Sequence, residues 1–478
     1  MKKVLVAGAA LMLMSGSAAT VHAVHFPAAE QAAPAPGKVE VKPGVVFNGD
    51  ARVRLWYADD NYGDFGNITA TNNRNNDSSQ VNMDSRVRLN MTGTAAGGAY
   101  AKARIRMYES LMGDLDVDPN PAEYGGSNIW VDIAHVGIPF SDQFTLELGK
   151  YRSTYGPMSV THNFFYDDVH LTGGRGIMKF GGVTVNPFIE WMEESQNYAA
   201  SNLNRIEDND AMRYGVHVKG KINKDWTVGG MLGYQDDERR EDYILSNLNY
   251  QNEGFFGSLY TSGRAGAFGL IAELGVTDSG INNFNSWEED TDVTYQIGAV
   301  DSGIDRIGSD DVGFGGYVFP NFQIDKLNIG LNLGFTDGGF QPDRAFGFVM
   351  MGSADNSRIS AVRIGDTGDW MWGGLVAEYS ISEALKLTGN LVYAEVDAWD
   401  LKGPNQDGPN TASNALSNSS LNPYALDNAW EVSAVLQYTI SKGADVFFSA
   451  GYLAPEFENP ALEDDGVFGA LTRFELKF

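Results

Sequence analysis

Trp430-Glu431-Val432-Ser433-Ala434-Val435-Leu436-Gln437-Tyr438-Thr439-Ile440 alternates without a break. Trp430, Val432, Ala434, Leu436, Tyr438 and Ile440 fall on one side of an extended chain, and Glu431, Ser433, Gln437 and Thr439 on the other. Side chains of a strand point to opposite faces with a period of two, so the run predicts a strand with one apolar and one polar face. Trp430 and Tyr438 lie eight positions apart on the apolar face, and Trp226 and Tyr234 repeat the spacing. At roughly 3.3 Å per residue and a tilt near 40°, that separation is about 20 Å along the membrane normal. An apolar band of about 25 Å flanked by aromatic girdles has this dimension.

The same alternation recurs from Val45 onward. Val45 to Tyr57, Val87 to Met91, Ala101 to Met107 and Leu327 to Phe335 each show an apolar face opposite a polar one. The connectors alternate in length as well. Tight ones fall at Thr94–Gly98, Phe140–Gln143, Asn223–Asp225, Arg264–Ala267, Asp325–Lys326, Glu383–Ala384 and Lys442–Ala444. Long ones lie between them, near 59–80, 111–127, 154–174, 195–210, 279–311, 338–368 and 400–427. Tight turns at one end and long loops at the other are the pattern of a transmembrane barrel.

The fold expected is therefore all-β: a closed antiparallel transmembrane barrel over residues 45–478, of about 18 strands. The weakly patterned runs 174–182 and 247–262 leave 16 as an alternative, and a hairpin of 345–352 with 357–364 would give 20. In lipid every backbone N–H and C=O must be paired within the protein, which helices and closed barrels achieve. The longest apolar run, Val4 to Met14, is too short for a helical span of roughly 20 residues. With Lys2 and Lys3 before it and Val21-His22-Ala23 after it, it is the core of a signal peptide over residues 1–23. Residues 24–44 form an Ala/Pro-rich lead-in. Export followed by barrel formation places the chain in a bacterial outer membrane.

Thr472-Arg473-Phe474-Glu475-Leu476-Lys477-Phe478 closes the chain with Phe474, Leu476 and Phe478 on one face, the form of a membrane insertion signal read by the barrel-insertion machinery. The sequence carries 62 acidic and 34 basic residues, a balance that argues against nucleic acid as a partner. It has no cysteine, hence no disulfide framework and no thiolate metal site. Motifs of hydrolases, metalloproteases and P-loop enzymes are absent, so no enzymatic activity, cofactor or metal is expected. A barrel enzyme or a non-channel surface barrel is the alternative reading. A barrel of 16 or more strands has a lumen too wide for its own side chains to fill, which favours a channel.

The stretch from Asp84-Ser85-Arg86-Val87-Arg88-Leu89 through Phe144-Thr145-Leu146-Glu147-Leu148-Gly149-Lys150 to Tyr155-Gly156-Pro157 resembles the early strands of Gram-negative porins, of the general and the phosphate- or polyphosphate-type. The resemblance implies a water-filled channel for passive diffusion of ions and small hydrophilic solutes. It also implies a homotrimer and an inward-folded loop at 154–174 that narrows the pore.

Arg52, Arg54, Arg86, Arg88, Lys102, Arg104 and Arg106 fall on the inward faces of the first three strands. One reading makes them a basic ladder facing Asp167 and Asp168 across the constriction, a transverse field that orients polar solutes. The other pairs them with Asp50 and Asp84 within the wall. Lys150 belongs to this set only if a bulge at Gly149 reverses the strand's parity. Acidic clusters such as Asp236-Asp237-Glu238 and Glu463-Asp464-Asp465 lie in outer loops, where they are solvated or bridge divalent cations to lipopolysaccharide.

Overall fold

The computed structural model describes residues 43–59, 79–110, 129–157, 163–167, 169–194, 210–237, 254–278, 305–306, 312–343, 346–352, 359–365, 368–398, 401–402, 426–457 and 466–478. Its barrel strands are β1 (Gly44–Ala58), β2 (Gln80–Thr94), β3 (Tyr100–Ser110), β4 (Ile129–Pro139), β5 (Phe144–Ser153), β6 (Val169–Phe180), β7 (Val183–Glu194), β8 (Asp210–Lys221), β9 (Trp226–Asp237), β10 (Gly254–Ala265), β11 (Phe268–Thr277), β13 (Gly313–Ile324), β14 (Leu327–Asp337), β15 (Gly368–Ser380), β16 (Leu385–Ala398), β18 (Leu426–Ser441), β19 (Ala444–Phe457) and β20 (Val467–Lys477). Two short strands, β12 (Asp305–Arg306) and β17 (Leu401–Lys402), pair with each other outside the barrel.

Each barrel strand pairs antiparallel with its neighbour, and β20 pairs with β1, so 18 strands close into one ring. Among the described residues, the hairpin that would raise the count to 20 does not form. Phe346–Met351 and the residues after 359 meet instead at an isolated parallel bridge, Met351 with Val362, where Ala361 N–H donates to Met350 O at 2.8 Å.

The alternation seen in the sequence is the alternation of the wall. Phe47, Leu232, Leu259, Leu274, Met371, Val432 and Leu476 are all exposed and lie on strands spread around the ring. A continuous outer surface of large apolar side chains is unstable in water and belongs against acyl chains. Two strands start elsewhere than their patterns predict. β6 begins at Val169 rather than near 174, and β10 begins at Gly254. In β6 the extra residues Val169 and Leu171 turn inward yet are apolar, so the polar alternation that marks the inner faces of β1 to β3 is missing there.

The ring closes on the last residue. Phe478 N–H donates to Gly49 O at 3.0 Å, and Gly49 N–H donates to Phe478 O at 2.8 Å. A Cβ at Gly49 would meet the Phe478 ring at 2.8 Å and also press on Arg88 O. The glycine in the otherwise apolar outer face of β1 is therefore the seat of the terminal ring.

Candidate functional site: the inner wall and its loops

The inward positions of β20, β1, β2, β3 and β4 form one charged wall. Cross-strand register sets Arg54 opposite Asp84 and Arg473, Asp50 opposite Arg88, and Arg88 opposite Arg106. The resulting contacts are specific. Arg54 Nε donates to Asp84 Oδ1 at 2.9 Å, and Arg88 Nε donates to Asp50 at 3.0 Å. Arg104 Nε and Arg106 Nε reach the two oxygens of Asp132 at 2.8 and 3.0 Å. Arg86 Nη2 lies 3.7 Å from Asp50, and Arg473 Nε 3.5 Å from Glu475. The pairing of the ladder with Asp50 and Asp84 is thus present. Because most of these acids engage Nε, the stem side of the guanidinium, they fix the direction in which its far edge points. Arg52 lies buried in the same wall, between Arg86 of β2 and Glu475 of β20, while Lys102 stays exposed with its ammonium over the Tyr100 ring at 5.0 Å.

Asp132 and Arg473 belong to this wall although the early-strand motif does not reveal them. In β4 a bulge opposite Arg104 and Ile105 adds a residue, so Asp132 and His135, three positions apart, both face inward. Simple alternation misplaces one of them. Arg473 lies on the inward parity of the terminal strand and was legible there.

Lys150 is not on this wall. Gly149 has φ +122°, yet Glu147 and Tyr151 on either side of it are both buried, so the parity does not reverse. Lys150 shares the outward face with Leu148 and pairs with Ala134 and Thr172, both exposed.

Asp167 lies in the loop that follows β5. It is buried and accepts hydrogen bonds from Asn163 N–H and Nδ2, both at 3.3 Å, while its own N–H donates to Asp343 Oδ2 at 3.2 Å. These contacts tie the carboxylate into its own loop. Asp168, and His162 with it, lies outside the described residues. From β6, His170 Nε2 reaches the arginine wall, 2.6 Å from Arg104 Nη2.

The loop between β5 and β6 does enter the barrel. Tyr155 and Phe164 to Tyr166 are fully or almost fully buried. Tyr155 stacks on His217 at 4.4 Å and on Phe188 at 5.3 Å, both on the wall. Burial pushes the Tyr155 phenol up to about 12 and holds Tyr166 well above its ordinary value, so both remain neutral. The Tyr166 hydroxyl donates to Glu190, which also accepts from Ser153 Oγ at 3.0 Å. At the loop tip Phe164 N–H donates to Glu273 Oε2 of β11 at 2.9 Å.

A second loop, between β14 and β15, enters from the other side and meets the first. Phe164 stacks on Phe340 at 5.3 Å and stands edge-on to Phe346 at 4.9 Å. Asp343 N–H donates to Phe164 O at 2.8 Å. The wall beneath is correspondingly apolar on its inner face, with Tyr317, Trp370, Trp372, Val392, Ala394 and Leu453 all buried. Sequence reasoning missed this core. Its signal is an apolar inward parity in the long-loop halves of three strands: Trp370 and Trp372 of β15, Val392, Ala394 and Val396 of β16, and Leu453 of β19.

No family model matches the chain, and no curated protein sequence matches it. Its fold is that of solved structures with little shared sequence. OccK11 (OpdR) of Pseudomonas aeruginosa is 12% identical, with a TM-score of 0.50 over 90% of this chain and 96% of that one. A BenF-like porin from Pseudomonas fluorescens Pf-5 is 11% identical, with a TM-score of 0.50 over 91% of this chain and 98% of that one. At such identity the likeness establishes a shared architecture: this chain has the 18-stranded barrel fold found in a porin.

Proposed function

We propose that the protein is an outer-membrane channel for passive diffusion of ions and small hydrophilic solutes, with a preference for anions. The observation that carries this reading is the pairing of an apolar outer belt with an inner wall of arginines in one closed barrel. Such a wall has no role against lipid and is costly to bury unless paired or wet. On β20 and β1 to β4 the inward cations are Arg473, Arg52, Arg54, Arg86, Arg88, Lys102, Arg104 and Arg106, against Asp50, Asp84, Asp132 and Glu475. The excess of cations supports anion selectivity.

The same reading includes export by a signal peptide cleaved after Ala23, insertion through Phe474, Leu476 and Phe478, and assembly as a homotrimer in contact with lipopolysaccharide. Support for assembly comes from the outer surface. Gly389, Ala434, Ala450 and Ala470 stand in register on four adjoining strands, flanked by Leu387, Leu436 and Phe448. Small side chains in line let another wall approach closely.

Purified protein in planar bilayers tests the proposal. Stepwise conductance without an energy source, with a reversal potential toward anions in a salt gradient, is expected. A barrel that inserts but gives no conductance rejects the channel, and a cation-directed potential rejects the selectivity.

A further inference from the structure

The loop between β14 and β15 carries an apolar tip into the lumen, with Val349, Met350 and Met351 buried. Its backbone N–H groups come with it and need acceptors, because a buried donor without a partner is costly. Glu431 of β18, itself fully buried, supplies them. Its Oε1 accepts Val349 N–H at 3.0 Å and its Oε2 accepts Met351 N–H at 2.8 Å. Ser433 Oγ donates to Glu431 Oε1 at 2.6 Å, and Asn390 Nδ2 of β16 donates to Ser433 Oγ at 3.0 Å. The tip is seated as well as bonded. Gly451 of β19 leaves room for Met350, whose Cγ would lie 2.5 Å from a Cβ there.

We infer that Glu431 is a positioning residue that latches this second inner loop to the barrel wall and so fixes the width of the passage. The inference rests on the channel reading for its consequence and on the contacts alone for the latch. A carboxylate offers two acceptor oxygens, one to each amide. A glutamine offers one oxygen and an NH₂ group, which sets a donor against a donor. Asp343 N–H and side chain join the loop to Phe164 O and Asp167 N–H of the first inner loop, so release at Glu431 loosens both.

The test uses Glu431→Gln in the full-length protein. The chain has no cysteine, so Met351→Cys gives a single thiol, inaccessible in the native loop. In the Glu431→Gln background this thiol is expected to react with a membrane-impermeant maleimide. Single-channel conductance is expected to rise or to flicker between levels. A disulfide between Met350→Cys and Gly451→Cys, added to Glu431→Gln, should restore the native conductance, and its reduction should undo the rescue. Native conductance together with a protected thiol overturns the latch. If the native protein does not conduct but the thiol becomes exposed in Glu431→Gln, the channel reading fails and the latch stands. Should Glu431→Gln not insert, Ser433→Ala, which removes one hydrogen bond from the carboxylate, is read by the same thiol and conductance measurements. A smaller gain in both is expected, and none in either overturns the inference.

Discussion

On β20 and β1 to β3 the inward positions carry arginines, most of them drawn against a carboxylate of these strands or of β4. From β13 round to β19 the inward positions of the long-loop half carry Tyr317, Trp372, Val392 and Leu453, covered by loop residues. Both regions belong to one barrel with one apolar exterior, so the outer faces do not explain the difference. What differs is the inner neighbour. A lumen this wide cannot be filled by wall side chains alone, and the chain fills part of it with two of its own loops. Where a loop covers the wall, the wall becomes a hydrophobic core. Where the wall keeps its charges, it is the surface that would meet solutes in the proposed channel.

Phe164 holds the covered region together, and its removal is expected to have the largest effect. Phe164→Ala deletes the ring stacked on Phe340 and edge-on to Phe346, a loss of about 3–5 kcal/mol for a buried phenylalanine. Single-channel recording should show a wider or unsteady conductance, and an unchanged trace would mean that the loops hold without it. Next in size is the charged wall. Substituting Arg86, Arg88 and Arg104 together by alanine should move the reversal potential toward cations, and no movement would remove that wall from the conduction path. Gly49→Val tests a position that belongs to neither region. Crowding of Phe478 and Arg88 O costs about 1–3 kcal/mol and should lower the temperature at which the barrel unfolds on a semi-native gel. Lys150→Ala is expected to do least. It lies on the outer face, so selectivity should stay as it was and stability change by less than about 0.5 kcal/mol.

How much of this was legible in the sequence follows the same division. Strand number, closure and the inward arginines could be read because lipid on one side and water on the other impose a strict period of two. Asp132 escaped because one bulged residue shifts the period within β4. Lys150 stayed outside because Gly149, despite its positive φ, adds no residue. The inner loops have no period at all. Trp370 and Trp372 around the outward Met371 nevertheless announce a strand that is dry on both sides, which for a barrel means something packed inside.

The stem-side contacts of the arginines have one more consequence. A guanidinium held about 3 Å from a carboxylate of its own, as Arg54 is from Asp84, is a short dipole more than an isolated positive charge. The field of such a dipole falls off within a distance smaller than the ~8 Å screening length of physiological salt. Such a pair has little reach into the solution beyond the mouth, whereas Asp50 and Asp132, each shared by two arginines, leave a net positive charge beside them. In the channel proposed above, a one-to-one pair would act on a solute already touching it, by ranking its orientations, and that ranking should survive changes in ionic strength that would abolish long-range attraction.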